Sequence, residues 1–383
     1  MADYLPQPAD TRFLLFDVLG AGETLAATGA FPEADPNLIT QVLEEAGKFV
    51  GEVVAPLHRV GDEPGCRLEA GEVRTPPGFR EAYQAFWQAG WPALACAPED
   101  GGQGLPWVLE GVLYEWLSAA NHGWTMAPGL LHGAYETLRH HGSEALKQAW
   151  LPKIASGEWL ATMNLTEPQA GSDLGLIRTR AVPQADGSYR LSGSKIFISG
   201  GEHDLTDNIV HLVLARRPDA PAGTKGLSLF LAPKFLPDGQ RNAIFCDRIE
   251  EKMGLHGSPT CAMRFDEAAA WLIGEPGRGL AAMFVMMNAA RVHVALQGIG
   301  LLDAAWQKAH AYAQERVQLR APGAARGAGA ADPIIRHPAM RRILDVERGW
   351  VDGLRVLAYR TALELDLARH HPEATRRQAA QQW

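Results

Sequence analysis

Residues 163–173, Met163-Asn164-Leu165-Thr166-Glu167-Pro168-Gln169-Ala170-Gly171-Ser172-Asp173, and residues 195–201, Lys195-Ile196-Phe197-Ile198-Ser199-Gly200-Gly201, decide how this chain is read. The first stretch leaves an apolar strand and enters TEPQAGSD: a hydroxyl, a rigid Pro turn, then Gly-Ser-Asp. Such a loop bares backbone N–H groups and small hydroxyls with no bulky side chain in the way. That is what a flat, polar-edged ring or a phosphate needs in order to approach the main chain closely. The second stretch sets an aromatic ring at Phe197 and a hydroxyl at Ser199 at the end of another strand.

Working outward, the chain from about Trp159 to Ile273 shows short β-rich runs bounded by turn residues. The clearest strands are Ser188–Gly193, Ile209–Ala215, Leu227–Leu231 and Ala262–Phe265, with Asp186-Gly187 as a hairpin signal. The preceding part is expected to be all helical. Residues 1–34 alternate turn-formers with the apolar piece Phe13–Phe16, an extension packed on the body. Asp35-Pro36 is a helix start, and Ile39, Val42, Leu43, Ala46, Val50, Val53, Val54 and Leu57 keep a helical period over 37–57. Further helices are expected over Pro77–Ala89, Trp107–Asn121, 128–142 and 143–155. From Gly279 the helical period returns with Met283, Met286, Met287, Ala290, Val294 and Gly298. Residues 322–331 read as a mobile Gly/Ala-rich connection, and a second long helix starts at His337-Pro338. The domains are therefore placed at 1–34 (extension), 35–157 (α-helical), 158–275 (β-domain) and 276–383 (helical).

At 383 residues the chain can hold two or three domains and bury a large core. A net charge of -8 with 46% apolar residues argues against general attraction to nucleic acid or anionic lipid. The four cysteines, Cys66, Cys96, Cys246 and Cys261, are scattered without a CxxC pair or a zinc-spaced His, so they read as reduced thiols. No signal peptide is expected at the N-terminus, no apolar run is expected to be long enough to span a bilayer, and the expected location is cytoplasmic. The adjacent pairs His140-His141 and His370-His371 point to different helix faces, which favours surface residues over metal ligands. The Met283, Met286, Met287 cluster reads as helix-bundle core, and Gly298-Ile299-Gly300 is too short and misplaced for a dinucleotide fingerprint.

PEDGGQGLP, TEPQAGSD, KIFISGG, EKMGLHGSPTC and NAARVHVALQGIG occur in the order found in the acyl-CoA dehydrogenase family, and the chain resembles that family from about residue 35 onward. Within it, the N-terminal extension, the HGSPTC run and Arg336-His337-Pro338 look most like the branch containing 3-methylmercaptopropionyl-CoA dehydrogenase. The resemblance implies an α+β fold: an N-terminal helical domain, a central β-barrel-like domain and a C-terminal helical bundle, incomplete here. It implies FAD as cofactor, lined by Met163, Leu165, Thr166, Gly171 and Ser172, with Phe197 and Ser199 closing the ring's other side, where many relatives carry Trp and Thr. Ser172, Asn288 and Arg291 would meet the acyl-CoA; many relatives have Asp in place of Asn288. Arg316, Gln318 and His337 would reach the FAD diphosphate of a neighbouring subunit in a homo-oligomer, dimer or tetramer.

The implied activity is α,β-dehydrogenation of a short or thioether acyl-CoA such as 3-methylthiopropionyl-CoA. A base takes the α-proton, the flavin N5 accepts the β-hydride, and an electron-transfer flavoprotein receives the electrons. The protein's part is orientation and a dry, preorganised site. The alternatives are an acyl-CoA oxidase and a low-turnover, DNA-associated flavoprotein of the same fold. In the family the base is usually a Glu in a late helical segment; Ala290 rules out the alternative placement just before Arg291, and no glycine-rich, Glu-bearing segment appears before Trp383. The expectation is thus a C-terminally truncated member, with the catalytic base unassigned, weak flavin binding at most and inefficient turnover.

Overall fold

The computed structural model describes residues 4–323 and 331–383. Contacts gather the chain into two compact units, one of residues 1–56, 105–122 and 293–383, the other of residues 57–104 and 123–292.

The second unit is built on a mixed sheet. Its strands are β3 (Leu160–Asn164), β4 (Arg180–Pro183), β5 (Tyr189–Ser199), β6 (Ile209–Arg216), β7 (Leu227–Pro233), β8 (Ile244–Ile249) and β9 (Thr260–Ile273). A separate hairpin pairs β1 (Arg67–Glu69) with β2 (Glu72–Arg74). The strands close into a ring: β6 pairs antiparallel with β7, β7 with β9, β9 with β5, β5 with β4, and β4 returns to β6 at Arg180 and Arg216. Closure pairs the polar edges that an open sheet would leave exposed. β3 adds in parallel to β6, and β8 to β9. Every residue of β7 is buried, as is all of β6 before Arg216, so these strands read as mostly apolar runs, broken by His211 in β6 and Ser228 in β7. Val213, Phe230, Ile244 and Phe265 fill the interior. Asp186-Gly187 forms the β4–β5 turn, with Gly187 at φ 83.

Helices Phe79–Gln88, Leu131–His141 and Glu144–Ser156 belong to the same unit. Gly90, at φ 80, takes the left-handed geometry that follows the first of these. The β1–β2 hairpin corrects the expectation of an all-helical first part. Its strands are three residues long and mostly charged, so no alternation shows in the sequence, and the turn at Ala70-Gly71 uses positive φ at both positions.

In the first unit, Asp35 caps the Pro36–Phe49 helix by accepting from Asn37 N (2.7 Å) and Leu38 N (2.9 Å). The helical path continues as a π turn at Val50–Val54 and a 3-10 turn at Ala55–Leu57. Pro56 cannot donate to an α-helical ladder and crowds the carbonyl four residues back, which the wider turn relieves. Residues before Asp35, expected as turns around an apolar piece, form the helices Pro8–Phe13 and Ala21–Ala26 with a π turn at Leu14–Val18 between them. Burial of Leu14, Leu15 and Leu25 holds these short segments, a tertiary contribution that local pattern does not show.

Three more helices, Trp107–Thr125, Gly279–Glu315 and Pro338–His370, follow the expected periods, and Asn121 breaks the first with non-helical φ -156 and ψ 86. The Gly/Ala-rich connection falls, from 324 to 330, outside the described residues.

One expectation is overturned. Gly279–Glu315 contains an 18-residue window of mean hydropathy 1.5, long and apolar enough by length and composition to cross a membrane. The run mixes Leu, Val, Met and Ala with few charged residues, but Asn288, Arg291 and His293 interrupt it, so no continuous apolar stretch catches the eye. The same helix carries the buried Asp303, ion-paired to Arg355, and brings Gly300 against the backbone of Glu115, where a Cβ would lie 2.4 Å from the carbonyl oxygen. Protein covers that part of it.

Candidate functional site

The loop after β3 is a tight turn. Glu167 and Ala170 exchange two backbone hydrogen bonds of 3.0 Å around Pro168-Gln169, and Asp173 Oδ1 then accepts from Gly175 N at 3.0 Å. Gly171 and Ser172 are exposed at its tip, and a Cβ added at Gly171 would meet nothing within 4 Å. Met163, Leu165 and Thr166 are half-buried along its approach.

The end of β5 lies alongside. Ile196 N donates to Thr166 O at 2.9 Å, so the two stretches are joined through the main chain. Phe197 has φ 61, an uncommon conformation for a bulky residue, and is 59% exposed. Ile198, next to it, is buried, and Ser199 is half-buried. An exposed phenyl ring held in strained backbone geometry is poor for folding and useful for presenting a flat face to a ligand. Thr166, Ser172 and Ser199 supply small hydroxyls nearby in the chain. The residue set fits a planar, polar-edged ring.

Beneath the loops sits a pair to which sequence reading gave no role. Glu167 is 3% exposed and Lys195 is fully buried, and their charges meet at 2.9 Å. Burial alone would raise the Glu167 pKa; the Lys195 ammonium, the Thr179 hydroxyl and the Arg178 N–H outweigh it and bring the carboxyl down to about 2. Burial pulls Lys195 down to about 8 despite the carboxylate. Two backbone N–H donors, fixed by the fold, hold the carboxylate in its charged form. Both groups are charged at neutral pH. A Glu and a Lys inside the two quoted stretches were the available signal.

Asn288 and Arg291 lie one turn apart on the Gly279–Glu315 helix, both exposed. Arg291 Nη1 donates to Asn288 Oδ1 at 3.0 Å, and its guanidinium stands 5.5 Å from the Phe284 ring centroid. Arg316, Gln318 and His337 also converge: Arg316 Nη2 donates to Gln318 Oε1 (2.7 Å), and His337 Nε2 donates to Gln318 O (2.9 Å). The bridge between Val317 and Pro333 brings their segments side by side. Exposed donors on that ribbon suit an anionic group.

With this geometry in place, comparison with known proteins is informative. Residues 39–158 match the model of the acyl-CoA dehydrogenase N-terminal domain, and residues 162–268 match that of the acyl-CoA dehydrogenase middle domain. The chain belongs to the acyl-CoA dehydrogenase family. It is 45% identical over 379 residues to 3-methylmercaptopropionyl-CoA dehydrogenase of Ruegeria pomeroyi, covering 97% of this chain and 64% of that protein. A butyryl-CoA dehydrogenase of Syntrophomonas wolfei is 34% identical over 384 residues, covering 96% of this chain and 62% of the relative. The chain thus spans less than two thirds of these relatives' own length. Among solved structures, an acyl-CoA dehydrogenase of Bacillus anthracis complexed with FAD superposes with a TM-score of 0.69 at 24% identity, over 88% of this chain and 52% of that one, which shows the shared fold.

Proposed function

We propose that the protein carrying this chain is an FAD-dependent acyl-CoA dehydrogenase acting on a short or thioether acyl-CoA such as 3-methylthiopropionyl-CoA. The observation that carries the reading is the junction of the TEPQAGSD loop with the Phe197 bulge, where the Thr166 carbonyl accepts from Ile196 N–H at 2.9 Å. The 45% identity to 3-methylmercaptopropionyl-CoA dehydrogenase supports the substrate class, and the FAD complex of the Bacillus anthracis relative supports the cofactor.

Bound FAD would supply the hydride acceptor for oxidation at the acyl β-carbon. The chain's own residues bind and orient. Met163 and Leu165 offer apolar contact, Thr166 and Ser199 offer hydroxyls at a ring edge, and Phe197 covers a ring face. Ser172 would meet the pantetheine of the acyl-CoA, and the Asn288–Arg291 pair the nucleotide end of CoA. Arg316, Gln318 and His337 are assigned to the FAD diphosphate of a second copy, making the active form a homo-oligomer. An electron-transfer flavoprotein is the assigned acceptor, and the cytoplasm the assigned location. No residue is assigned as the α-proton acceptor.

The test is anaerobic mixing of the full-length protein with 3-methylthiopropionyl-CoA and, separately, butyryl-CoA. Bleaching of the oxidised flavin band is expected with at least one, faster with the thioether substrate. A properly folded protein that stays colourless and takes up no added FAD would overturn the reading. Peroxide release with oxygen consumption would reassign it as an oxidase.

A further inference from the structure

The flavin reading leaves Glu167 and Lys195 without a task, yet their geometry is elaborate. Lys195 Nζ donates to Leu165 O at 2.8 Å and to Glu167 Oε1 at 2.9 Å. Glu167 also accepts from Arg178 N (2.7 Å), Thr179 N (3.0 Å), Thr179 Oγ1 (2.5 Å) and Gln169 Nε2 (2.6 Å). Five donors on one carboxylate hold the turn, the strand after it and β5 together.

The pair also explains why the ladder breaks where it does. Lys195 faces Met263 and Ile198 faces Cys261, so β5 advances three residues while β9 advances two. In a regular strand, residues 195 and 198 point to opposite faces. Here both side chains are buried. The extra residue falls at Ile196-Phe197, between the buried Lys195 and Ile198, and it turns Phe197 outward at φ 61.

We propose that the Glu167–Lys195 pair is a positioning device for the cofactor. It anchors β5 inward at 195, thereby setting the bulge that presents Phe197, and it ties that bulge to the Leu165–Thr166 backbone. The inference rests on the flavin reading for what is being positioned. It does not rest on it for the bulge itself.

The test uses Glu167→Gln/Lys195→Met, which keeps side-chain volume and strands no charge, beside Thr179→Val, which removes one donor and leaves the ion pair. Each is measured in the whole protein for FAD affinity, for the visible absorbance and circular dichroism of bound flavin, and for hydrogen exchange without FAD. In the double variant, FAD affinity is expected to fall at least tenfold and the flavin signal to move toward that of free FAD. Exchange over 163–172 and 194–199 is expected to rise at least tenfold while the rest of the sheet keeps its protection. Thr179→Val is expected to move all three in the same direction by less.

Restoring the pair as Glu167→Asp with Lys195 intact should recover part of the affinity. Unchanged FAD affinity and spectrum in folded variants would make the pair structural only and overturn the proposal. Unchanged exchange would overturn it as well. If the double variant does not fold, Thr179→Val decides by the same two readouts. Wild-type protein that takes up no FAD sinks the flavin reading separately, and exchange then judges the bulge alone.

Discussion

In the β unit the Glu167–Lys195 pair sets one carboxylate against one ammonium, whereas in the helical unit Arg355 sets a single guanidinium against two carboxylates. Arg355 Nε donates to Glu115 Oε1 and its Nη2 to Asp303 Oδ2, both at 2.7 Å, with all three side chains almost fully buried. Tyr359 OH donates to Glu115 Oε2 (2.7 Å) and Tyr4 OH to Asp303 Oδ2 (3.0 Å). Even so, Asp303 Oδ1 and Arg355 Nη1 find no hydrogen-bond partner among the described residues. Burial raises the Glu115 pKa despite Arg355, while Glu167 is held near 2. What separates the two is donor supply. Strand and turn backbone can aim N–H groups at a carboxylate; helix interiors spend theirs on the helix and leave only side chains. The β-unit pair is local, 28 residues apart, and stiffens one site; the helical cluster joins Glu115 to Arg355 across 240 residues and fixes helix register.

The largest expected effect tests the helical cluster. Arg355→Met strands Glu115 and Asp303 in the interior and should cost about 3–5 kcal/mol, read as a lower urea midpoint. Adding Glu115→Gln and Asp303→Asn should return most of that loss. If the single variant unfolds no earlier than wild type, the cluster is not what holds these helices.

Next comes acidity. Glu167 lies below its ordinary pKa of 4.5, at about 2, so its stabilisation is present above 4.5 and disappears as pH falls toward 2. The share at stake is about 3 kcal/mol. Acid titration of Glu167→Gln should lack that share of the slope, and an identical titration would show that the donors do not hold the carboxylate charged.

Tyr359→Phe removes one donor from Glu115 and should cost about 1–2 kcal/mol by denaturant unfolding. Because the cluster is short of donors, the loss should exceed that for Thr179→Val, which leaves Glu167 four of its five. Equal losses would erase the contrast in donor supply.

The smallest effect has the opposite sign. Phe197→Gly relieves the strained backbone at φ 61 and should raise stability by about 1 kcal/mol while weakening FAD binding. A destabilised variant would mean that the ring packs where it sits and is not held out for a ligand.

The sequence exposed much of this molecule because its long helices and inner strands carry period and run length. The Trp107, Gly279 and Pro338 helices, β6 and β7 all stood out for that reason. The β1–β2 hairpin and the short helices before Asp35 did not, since three to six residues cannot establish a period. At the site, Thr166, Ser172, Phe197 and Ser199 were marked by the resemblance, and the structure joins their two stretches. Phe197 illustrates the limit: its residue type was visible, but its backbone strain was not. Glu167 and Lys195 were in plain view within both stretches, yet charged residues on strands are usually solvated, and nothing in one chain says which are enclosed. Arg355, Glu115 and Asp303 are further still from legibility, because partners so distant in sequence are matched only by the fold.

Gly193 sits in β5 at φ 152, and a Cβ there would fall 2.6 Å from Thr179 Oγ1 and 2.8 Å from its Cα. The hydrogen atom at that position is what lets Thr179 lean in and donate to Glu167. An alanine at 193 would therefore act at a distance, prising the threonine from the carboxylate and slackening the turn around Pro168-Gln169.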